Sequence, residues 1–302
     1  MIPLVARAHA KINLDLRVVA RRADGYHDLR TMFQSLALHD RLVFRRRRGA
    51  FALESAATDM PTDRSNLVWR AAQALWSASG RTGEVRGVHV TVEKRIPSQA
   101  GLGGGSSDAA ATLMALNELW RTRFAPGDLV RLGASLGADV PYFLVGGTAL
   151  GLGRGETVYP LPDVPSMGVL VVKPSFGVAT ADAYRWYAAA RRQPSQNVQA
   201  LAVPWYPGPL VIVNDLEAPV MRHHPELVAI RRALLRKGAD VALMCGSGSA
   251  VFGLFPTVER ARTAAAGLRR PARAGGRRGD GRPWHVVATR FIGRAGYRRR
   301  ML

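Results

Sequence analysis

The chain has 302 residues, of which 47% are hydrophobic, enough for about two domains with buried cores. No stretch has the roughly 18 uninterrupted apolar residues of a membrane span, and the N-terminal sequence lacks the apolar segment of a signal peptide. We therefore expect a cytoplasmic protein that does not enter a membrane. The single cysteine, Cys245, excludes an internal disulfide framework and a multi-cysteine zinc site.

The net charge of +21 would suit a nucleic-acid partner, so its distribution matters. Almost half of the excess lies in residues 269–302, which contain eleven arginines and one acidic residue, Asp280. No binding motif and no interleaving of basic with aromatic residues accompanies these arginines, so we do not expect nucleic acid to be the main partner. A nucleic-acid-binding protein remains the alternative from another functional class. A basic surface also attracts anionic substrates.

The first predicted strand, residues 8–16, alternates apolar and polar side chains. This alternation places Lys11 and Asn13 side by side on the face opposite the core. A lysine there is either simply solvated or, if that face borders an anion site, available for chemistry.

A turn at residues 24–25 precedes Tyr26 and His27. These two residues are either ordinary packed and surface residues, or they present an aromatic face and a ring nitrogen to a planar ligand. Residues 33–44 are predicted as a pair of strands, and residues 45–49 as a solvated hairpin. A helix is predicted to follow, ending at Ala78.

A glycine-rich loop joins a predicted strand, residues 88–92, to a predicted helix that continues to Trp120. Its four glycines within five positions let the backbone turn tightly and approach another group closely. A loop that leads into a helix N-terminus aims free backbone N–H groups at an anion, for which phosphate is the natural candidate. We expect Ser106 or Ser107 to cap this helix. The alternative is a flexible Gly/Ser linker.

Asp139 follows a short predicted helix, residues 126–136, and precedes an apolar run. An unpaired carboxylate is costly to bury there, so Asp139 is either a helix or turn cap or a carboxylate held for chemistry. The proline-rich connector at residues 160–165 is the predicted domain boundary.

The second half mixes strands and helices without a regular βαβ alternation, which favours an α+β sandwich. Residues 293–302 are predicted to be a disordered basic tail. The remaining predictions are an irregular region at 191–209, an Arg/Gly linker ending at Pro283, strands at 168–173, 241–244, 251–255 and 284–291, and helices that begin at Thr180, Pro225 and Thr257.

Three stretches resemble, in order and spacing, the motifs of the GHMP small-molecule kinases: AHAKINLDL at 8–16, PSQAGLGGGSSDAA at 97–110 and MCGSGSAVF at 244–252. Within that superfamily, the segments AKIN, DGYH, GLGGGSSDAA, LGADVP and NDLE are similar to the branch whose substrate is a cytidine diphosphate conjugate of methylerythritol. The alternative within the class is a kinase for another small alcohol. The CGSGSA turn departs slightly from the usual SGTGA, and the Arg/Gly segment has no clear counterpart.

The resemblance implies a two-domain α+β GHMP kinase fold. It comprises an N-terminal ribosomal S5 domain 2-like α/β sandwich at residues 1–162, a C-terminal ferredoxin-like α/β sandwich at 163–292 and the basic tail. The implied activity is ATP-dependent phosphorylation of the 2-hydroxyl of the methylerythritol portion, in the non-mevalonate route to isoprenoid precursors. The implied cofactors are ATP and Mg²⁺, and the implied assembly is a monomer or homodimer.

Transferred to this sequence, the catalytic pair of the family is Lys11 and Asp139. The resemblance also implies that cytosine lies between the rings of Tyr26 and Tyr184, that His27 hydrogen-bonds the base edge and that Asn13 contacts the substrate. Ser106 is the expected metal ligand, with Ser107 as the alternative. The implied ATP phosphate loop consists of Pro97, Ser98, Gln99, Ala100, Gly101, Leu102, Gly103, Gly104, Gly105, Ser106 and Ser107.

Overall fold

The computed structural model describes residues 2–190, 197–204, 207–268 and 284–301. The predicted Arg/Gly linker lies outside these residues, as does the first part of the irregular region predicted at 191–209. No helix in the described part of the chain is long and apolar enough to cross a membrane.

The first half of the described chain contains a six-stranded sheet. Its two longest strands pair antiparallel, and the second of them also pairs with strands on its other side. The strands are β1 (Leu4–Arg21), β2 (His27–Ala50), β3 (Ala52–Ser55), β4 (Arg86–Glu93), β5 (Thr148–Gly153) and β6 (Thr157–Pro160).

The strand pair predicted at 33–44 and the hairpin predicted at 45–49 are wrong, because both segments belong to the single strand β2. Arg45 and Arg46 pair with His89 and Val88 of β4, so the backbone ladder continues while the arginine side chains stay exposed. An arginine run is therefore compatible with a strand where both faces are open to solvent, because successive side chains point to opposite faces.

Four helices accompany this sheet: α1 (Leu67–Ala78), α2 (Gly104–Trp120), α3 (Pro126–Leu136) and α4 (Val140–Val145). The middle of α2 is the buried run Ala109, Ala110 and Ala111. These small side chains let α2 lie close to β1, with which it is in contact. The start of α2, and with it the glycine loop, is thereby fixed beside the strand that carries Lys11.

The second half contains an antiparallel four-stranded sheet in the order β10-β11-β7-β12 and a separate two-stranded sheet. The strands are β7 (Gly168–Lys173), β8 (Gln199–Ala202), β9 (Pro209–Ile212), β10 (Val241–Met244), β11 (Val251–Phe255) and β12 (His285–Arg290). The helices are α5 (Thr180–Ala189), α6 (Glu217–His223), α7 (Pro225–Arg236), α8 (Val258–Leu268) and α9 (Arg294–Met301).

The predicted two-domain α+β architecture is confirmed, and β1 reaches from one half to the other. Leu16 forms a parallel bridge with Asn214, and the Asp15 carboxylate accepts a hydrogen bond from the Val213 N–H at 2.9 Å. All described strands of the first sheet end by Pro160, and those of the second begin at Gly168. We propose the boundary at residues 162/163 on this ground.

The prediction of a disordered tail is wrong, because α9 packs against the first domain. Tyr297 is only 1% exposed, lies in the first hydrophobic core and donates a hydrogen bond to the Phe143 carbonyl at 2.5 Å. Met301, one helical turn later, is buried in the same core. The Arg294 guanidinium donates to the Leu161 carbonyl at 3.0 Å. Two apolar residues at i and i+4 are thus enough to dock a helix whose other residues are mostly arginine.

We expect Tyr297→Ala to lower the free energy of unfolding by about 3–5 kcal/mol, the usual cost of deleting a buried aromatic side chain. Chemical denaturation followed by circular dichroism measures this. The matched control is Arg298→Ala, at an exposed position of the same helix, which should change stability by less than about 0.5 kcal/mol. Equal stability of the two variants would contradict the docking of α9.

Candidate active site

The glycine loop leads directly into an uncapped helix end. Gly103 is the N-cap residue of α2, with φ at 72°, and no side chain caps the helix. The predicted cap by Ser106 or Ser107 is therefore wrong, because the helix starts earlier and both serines lie in its first turn. The Ser107 hydroxyl instead donates to the His9 carbonyl at 2.7 Å, which ties α2 to β1. The first N–H groups of α2 have no carbonyl partner within the helix, so they suit an anion.

The loop is held between β1 and the turn at residues 245–250. The Lys11 N–H donates to the Leu102 carbonyl at 3.0 Å, and the Ala250 N–H donates to the Ala100 carbonyl at 3.3 Å. Gly101 has φ at 73°, and a Cβ there would overlap the Cys245 carbonyl oxygen. Ala100 and Leu102 are buried, whereas the backbone from Gly103 to Ser106 remains partly exposed. The loop is thus fixed on one side and accessible on the other, which excludes a flexible linker.

Lys11 and Asp139 meet next to this loop. The Lys11 ammonium lies 3.4 Å from an Asp139 carboxylate oxygen and donates to Asn13 Oδ1 at 2.7 Å. Lys11 is only 4% exposed, whereas the Asp139 side chain is 34% exposed. Gly103 borders the pair, since a Cβ on it would lie 3.2 Å from Lys11 Cγ. The structure therefore brings a buried cation, an accessible carboxylate and the helix N-terminus to one place.

Asp139 occupies the N-cap position of α4, but its side chain makes no capping hydrogen bond. Of the two interpretations left open by the sequence, the geometry favours a carboxylate held beside Lys11. The role of the residue in chemistry stays a proposal.

Asn13 is oriented by a short polar chain. Its amide nitrogen donates to Thr31 Oγ1 at 2.7 Å, and the Thr31 hydroxyl donates to the Asp15 carbonyl at 2.7 Å. The Asn13 oxygen is left to face Lys11. Gly246 closes the other side, because a Cβ there would lie 3.1 Å from Asn13 Oδ1 and 3.4 Å from the Lys11 ammonium.

The predicted base-binding residues are only partly assembled. The His27 and Tyr184 rings stack with centroids 5.3 Å apart and planes 18° apart. Tyr26 is 58% exposed and lies under the Arg154 guanidinium at 5.1 Å, and it makes no ring contact with Tyr184 in the described part of the chain. Burial, and next to it the charge of Asp139, raises the pKa of Tyr184, so its phenol stays neutral.

A buried ionic cluster under the loop was not found from the sequence. The Lys94 ammonium hydrogen-bonds to Asp40 and, at 2.8 Å, to Asp108, which lies early in α2. Asp40 also accepts from the Ile96 N–H at 2.8 Å. Burial raises the pKa of Asp108 to about 7, although the charge of Lys94 opposes the rise. The other Asp108 oxygen has no hydrogen-bond partner among the described residues. The only sequence signal is the acidic residue within SSDAA.

The NDLE segment braces the opposite turn. The Asn214 amide donates to the Met244 and Gly246 carbonyls at 2.9 and 2.7 Å, and Glu217 accepts from the Met244 N–H at 2.8 Å. Burial raises the pKa of Glu217 despite the nearby Arg231. These residues fix Gly246 against Lys11, a role that sequence analysis did not assign.

The oxygen ligands available at the start of α2 suit a metal cation that binds together with the nucleotide. Ser107 is buried and engaged with His9, so Ser106, which is half-exposed in the first turn of α2, is the available hydroxyl. No cluster of three or more His, Cys, Asp or Glu residues suitable for a metal occurs in the described segments. Mg²⁺ is commonly held by one or two protein oxygens together with substrate phosphates and water, which such a sparse set can satisfy.

Comparison with known protein families first identifies the class of protein. The model of the GHMP kinases N terminal domain matches residues 66–147, and that of the GHMP kinases C terminal domain matches residues 199–274. These matches define a GHMP kinase, a small-molecule phosphotransferase.

Comparison with individual proteins identifies the family of GHMP kinases to which the chain belongs. The chain is 47% identical to the 4-diphosphocytidyl-2-C-methyl-D-erythritol kinase of Moorella thermoacetica over 273 residues, which cover 88% of this chain and 94% of that protein. It is 44% identical to the enzyme of the same name from Pelotomaculum thermopropionicum, with the same two coverages. A crystal structure of 4-(cytidine 5'-diphospho)-2C-methyl-D-erythritol kinase superposes with a TM-score of 0.76 at 37% identity, covering 96% of this chain and all of that one. The chain belongs to the family of 4-diphosphocytidyl-2-C-methyl-D-erythritol kinases.

The buried cluster predicts a pH-dependent stability. Because the pKa of Asp108 is about 7 in the folded protein and about 3.9 in an unfolded chain, the folded state binds the extra proton between these values. The contribution of this group is fully present below about pH 4 and is lost as the pH rises through 7. We expect the free energy of unfolding of the wild type, relative to Asp108→Asn, to fall as the pH rises from 5 to 8.

Urea denaturation of both proteins at four pH values measures this difference. Asp240→Asn, at an exposed position, is the matched control and should track the wild type at every pH. A pH-independent gap between the wild type and Asp108→Asn would show that Asp108 is not protonated in the folded state.

Proposed function

We propose that this protein transfers the γ-phosphoryl group of ATP to the 2-hydroxyl of 4-diphosphocytidyl-2-C-methyl-D-erythritol, in the non-mevalonate route to isoprenoid precursors. The names of its relatives support the substrate. The observation that carries the mechanism is the contact between Lys11 and Asp139, at 3.4 Å, beside an uncapped helix N-terminus.

Asp139 is the proposed general base. An alcohol is a poor nucleophile until its proton is accepted, and a carboxylate within hydrogen-bond reach accepts that proton as the new bond to phosphorus forms. The partial exposure of the Asp139 carboxylate leaves it accessible to a substrate hydroxyl. The proton therefore passes from the substrate oxygen to the Asp139 carboxylate.

Lys11 acts through its charge. Its ammonium stabilises ionised Asp139, orients the hydroxyl and offsets negative charge on the transferring phosphoryl group. Asn13 holds the ammonium in place from the other side. The buried setting strengthens these interactions, because little water screens them.

The glycine loop positions the phosphates. The N–H groups of the first turn of α2 and the positive end of the helix face the γ-phosphate, and phosphoryl transfer depends mainly on such positioning and charge stabilisation. Mg²⁺, when bound, would neutralise part of the negative charge of the phosphates. Ser106 is the hydroxyl that we propose to hold it.

The cytosine is proposed to lie on the ring of Tyr184. Nearly parallel rings with centroids 5.3 Å apart are offset, so His27 covers only part of the tyrosine face. A base stacked beside His27 would share the plane of the imidazole, whose ring nitrogens could hydrogen-bond its edge. Tyr26 would close over the other face of the base only after leaving its contact with Arg154.

Substrate choice is tested by ATP consumption. We expect turnover with the cytidine conjugate and none with mevalonate or homoserine at matched concentrations. Turnover of only the latter two alcohols would refute the substrate assignment, although the protein would still be a kinase.

We expect Asp139→Asn to lower kcat by about 10²–10⁴-fold, the usual contribution of a general base. Lys11→Met should cause a loss of similar size, since it removes the charge that faces the phosphoryl group. Steady-state kinetics with the cytidine conjugate measures both, and the exposed Asp240→Asn serves as the matched control. A wild-type kcat for Asp139→Asn would remove the proposed base.

We expect Tyr184→Ala to raise the KM for the cytidine conjugate by roughly 5- to 150-fold, the range for a base–aromatic stacking free energy of about 1–3 kcal/mol. The KM for ATP should not change. Tyr184→Phe keeps the ring and is the matched control, with a near wild-type KM. An unchanged KM in the alanine variant would refute stacking on this ring.

A further inference from the structure

A cavity of about 530 Å³ lies away from the proposed active site, at the seam between the two sheets. It is lined by residues of β2, β12 and the first turns of α8 and by Arg95, which follows β4, and none of the proposed catalytic, ATP-binding or substrate-binding residues lines it. Its volume is within the range of about 300–1,000 Å³ that is typical of small-molecule sites.

The walls of the cavity are fixed by hydrogen bonds between the sheets. The Leu38 N–H donates to the Thr289 hydroxyl oxygen at 2.9 Å, and Leu36 bridges Phe291 immediately beside it. The Nδ1–H of His39, which is also in the lining, donates to the Ala37 carbonyl at 2.8 Å. The cavity is therefore built from paired backbone and does not depend on a loose surface loop.

The lining is apolar inside and basic at its rim. Half-buried Leu38, Val258 and Val287 provide apolar surface. Exposed Arg95, Arg262 and Arg290 surround it. Guanidinium groups bind phosphate oxygens through paired N–H donors, whereas aliphatic walls favour an apolar body.

Glu259 is the single acidic residue of the lining. Its backbone N–H and the Thr257 hydroxyl hold the pKa of Glu259 below its ordinary value, and the charges of Arg262 and Arg290 add to this effect. Two arginines thus act on one carboxylate at the rim. Arg95 is paired with Glu93 at 3.5 Å, so the net positive charge of the rim comes from Arg262 and Arg290, which outnumber Glu259.

We propose that this cavity is a second ligand site, for a small phosphate ester with a short apolar body. The phosphate contacts Arg262 and Arg290 at the rim. The apolar body lies against Leu38 and Val287. The site is separate from the phosphate loop and is occupied independently of ATP.

Isothermal titration of the full chain with hexyl phosphate tests the proposal, with saturating ADP and CDP present to fill the proposed active site. We expect hexyl phosphate to bind at least several-fold more tightly than inorganic phosphate or hexanol, because only the ester uses both parts of the cavity. Equal binding of inorganic phosphate, or loss of binding on addition of ADP and CDP, would overturn the proposal.

Three substitutions at this site should change the affinity for hexyl phosphate in opposite directions. Arg262→Gln and Arg290→Gln should each weaken binding about tenfold or more, whereas Glu259→Gln should tighten it a few-fold, because it removes a negative charge that repels the phosphate. Arg232→Gln, an exposed arginine on α7, is the matched control for net charge and should bind as the wild type does. Thermal melting and kinase activity should stay unchanged in all four proteins. Wild-type affinity in both rim arginine variants, or weaker binding by Glu259→Gln, would refute the assignment.

Discussion

The placement of one buried ammonium group, that of Lys11, constrains much of the molecule. A lysine that is 4% exposed needs partners, because an uncompensated charge in the interior is costly. Asn13 and Asp139 supply them, and they come from different elements. The flanking glycines, Gly103 and Gly246, leave room where any side chain would crowd the pair. The glycine loop, the turn after β10 and the start of α4 are therefore positioned around a single cation.

Supporting contacts extend this arrangement into both domains. Below the loop, Lys94 joins Asp40 of β2 to Asp108 of α2, so the sheet and the helix share one ionic cluster. Across the loop, Asn214 braces the turn that faces Lys11. Removing one partner of such a buried pair leaves an unpaired charge and is more damaging than the energy of the contact alone. The rigidity that phosphoryl transfer requires thus comes from polar groups as well as from the apolar cores.

Sequence patterns predicted most of the fold and the centre of the candidate site. Alternation identified the strand of Lys11, and glycine spacing identified the loop that we propose to bind phosphate, because both signals are local. The single strand β2 and the true start of α2 were missed, since the pairing of Arg45 with β4 and the start of the helix at Gly104, after the N-cap residue Gly103, depend on distant partners. The Lys94 cluster was missed for the same reason, because its two carboxylates are 68 positions apart in the chain. The relative placement of Tyr26 and Tyr184 likewise could not be inferred from spacing alone.

The docking of α9 has a consequence for biosynthesis. Tyr297 completes the core of the first domain, yet it is translated only after the strands of the second domain have been made. A nascent chain of which only residues 1–162 have left the ribosome therefore still presents an unfilled apolar patch next to Phe143. Domains commonly fold in order as the ribosome releases them. Here the first domain completes its packing only after the second domain has been synthesised, when α9 docks against it.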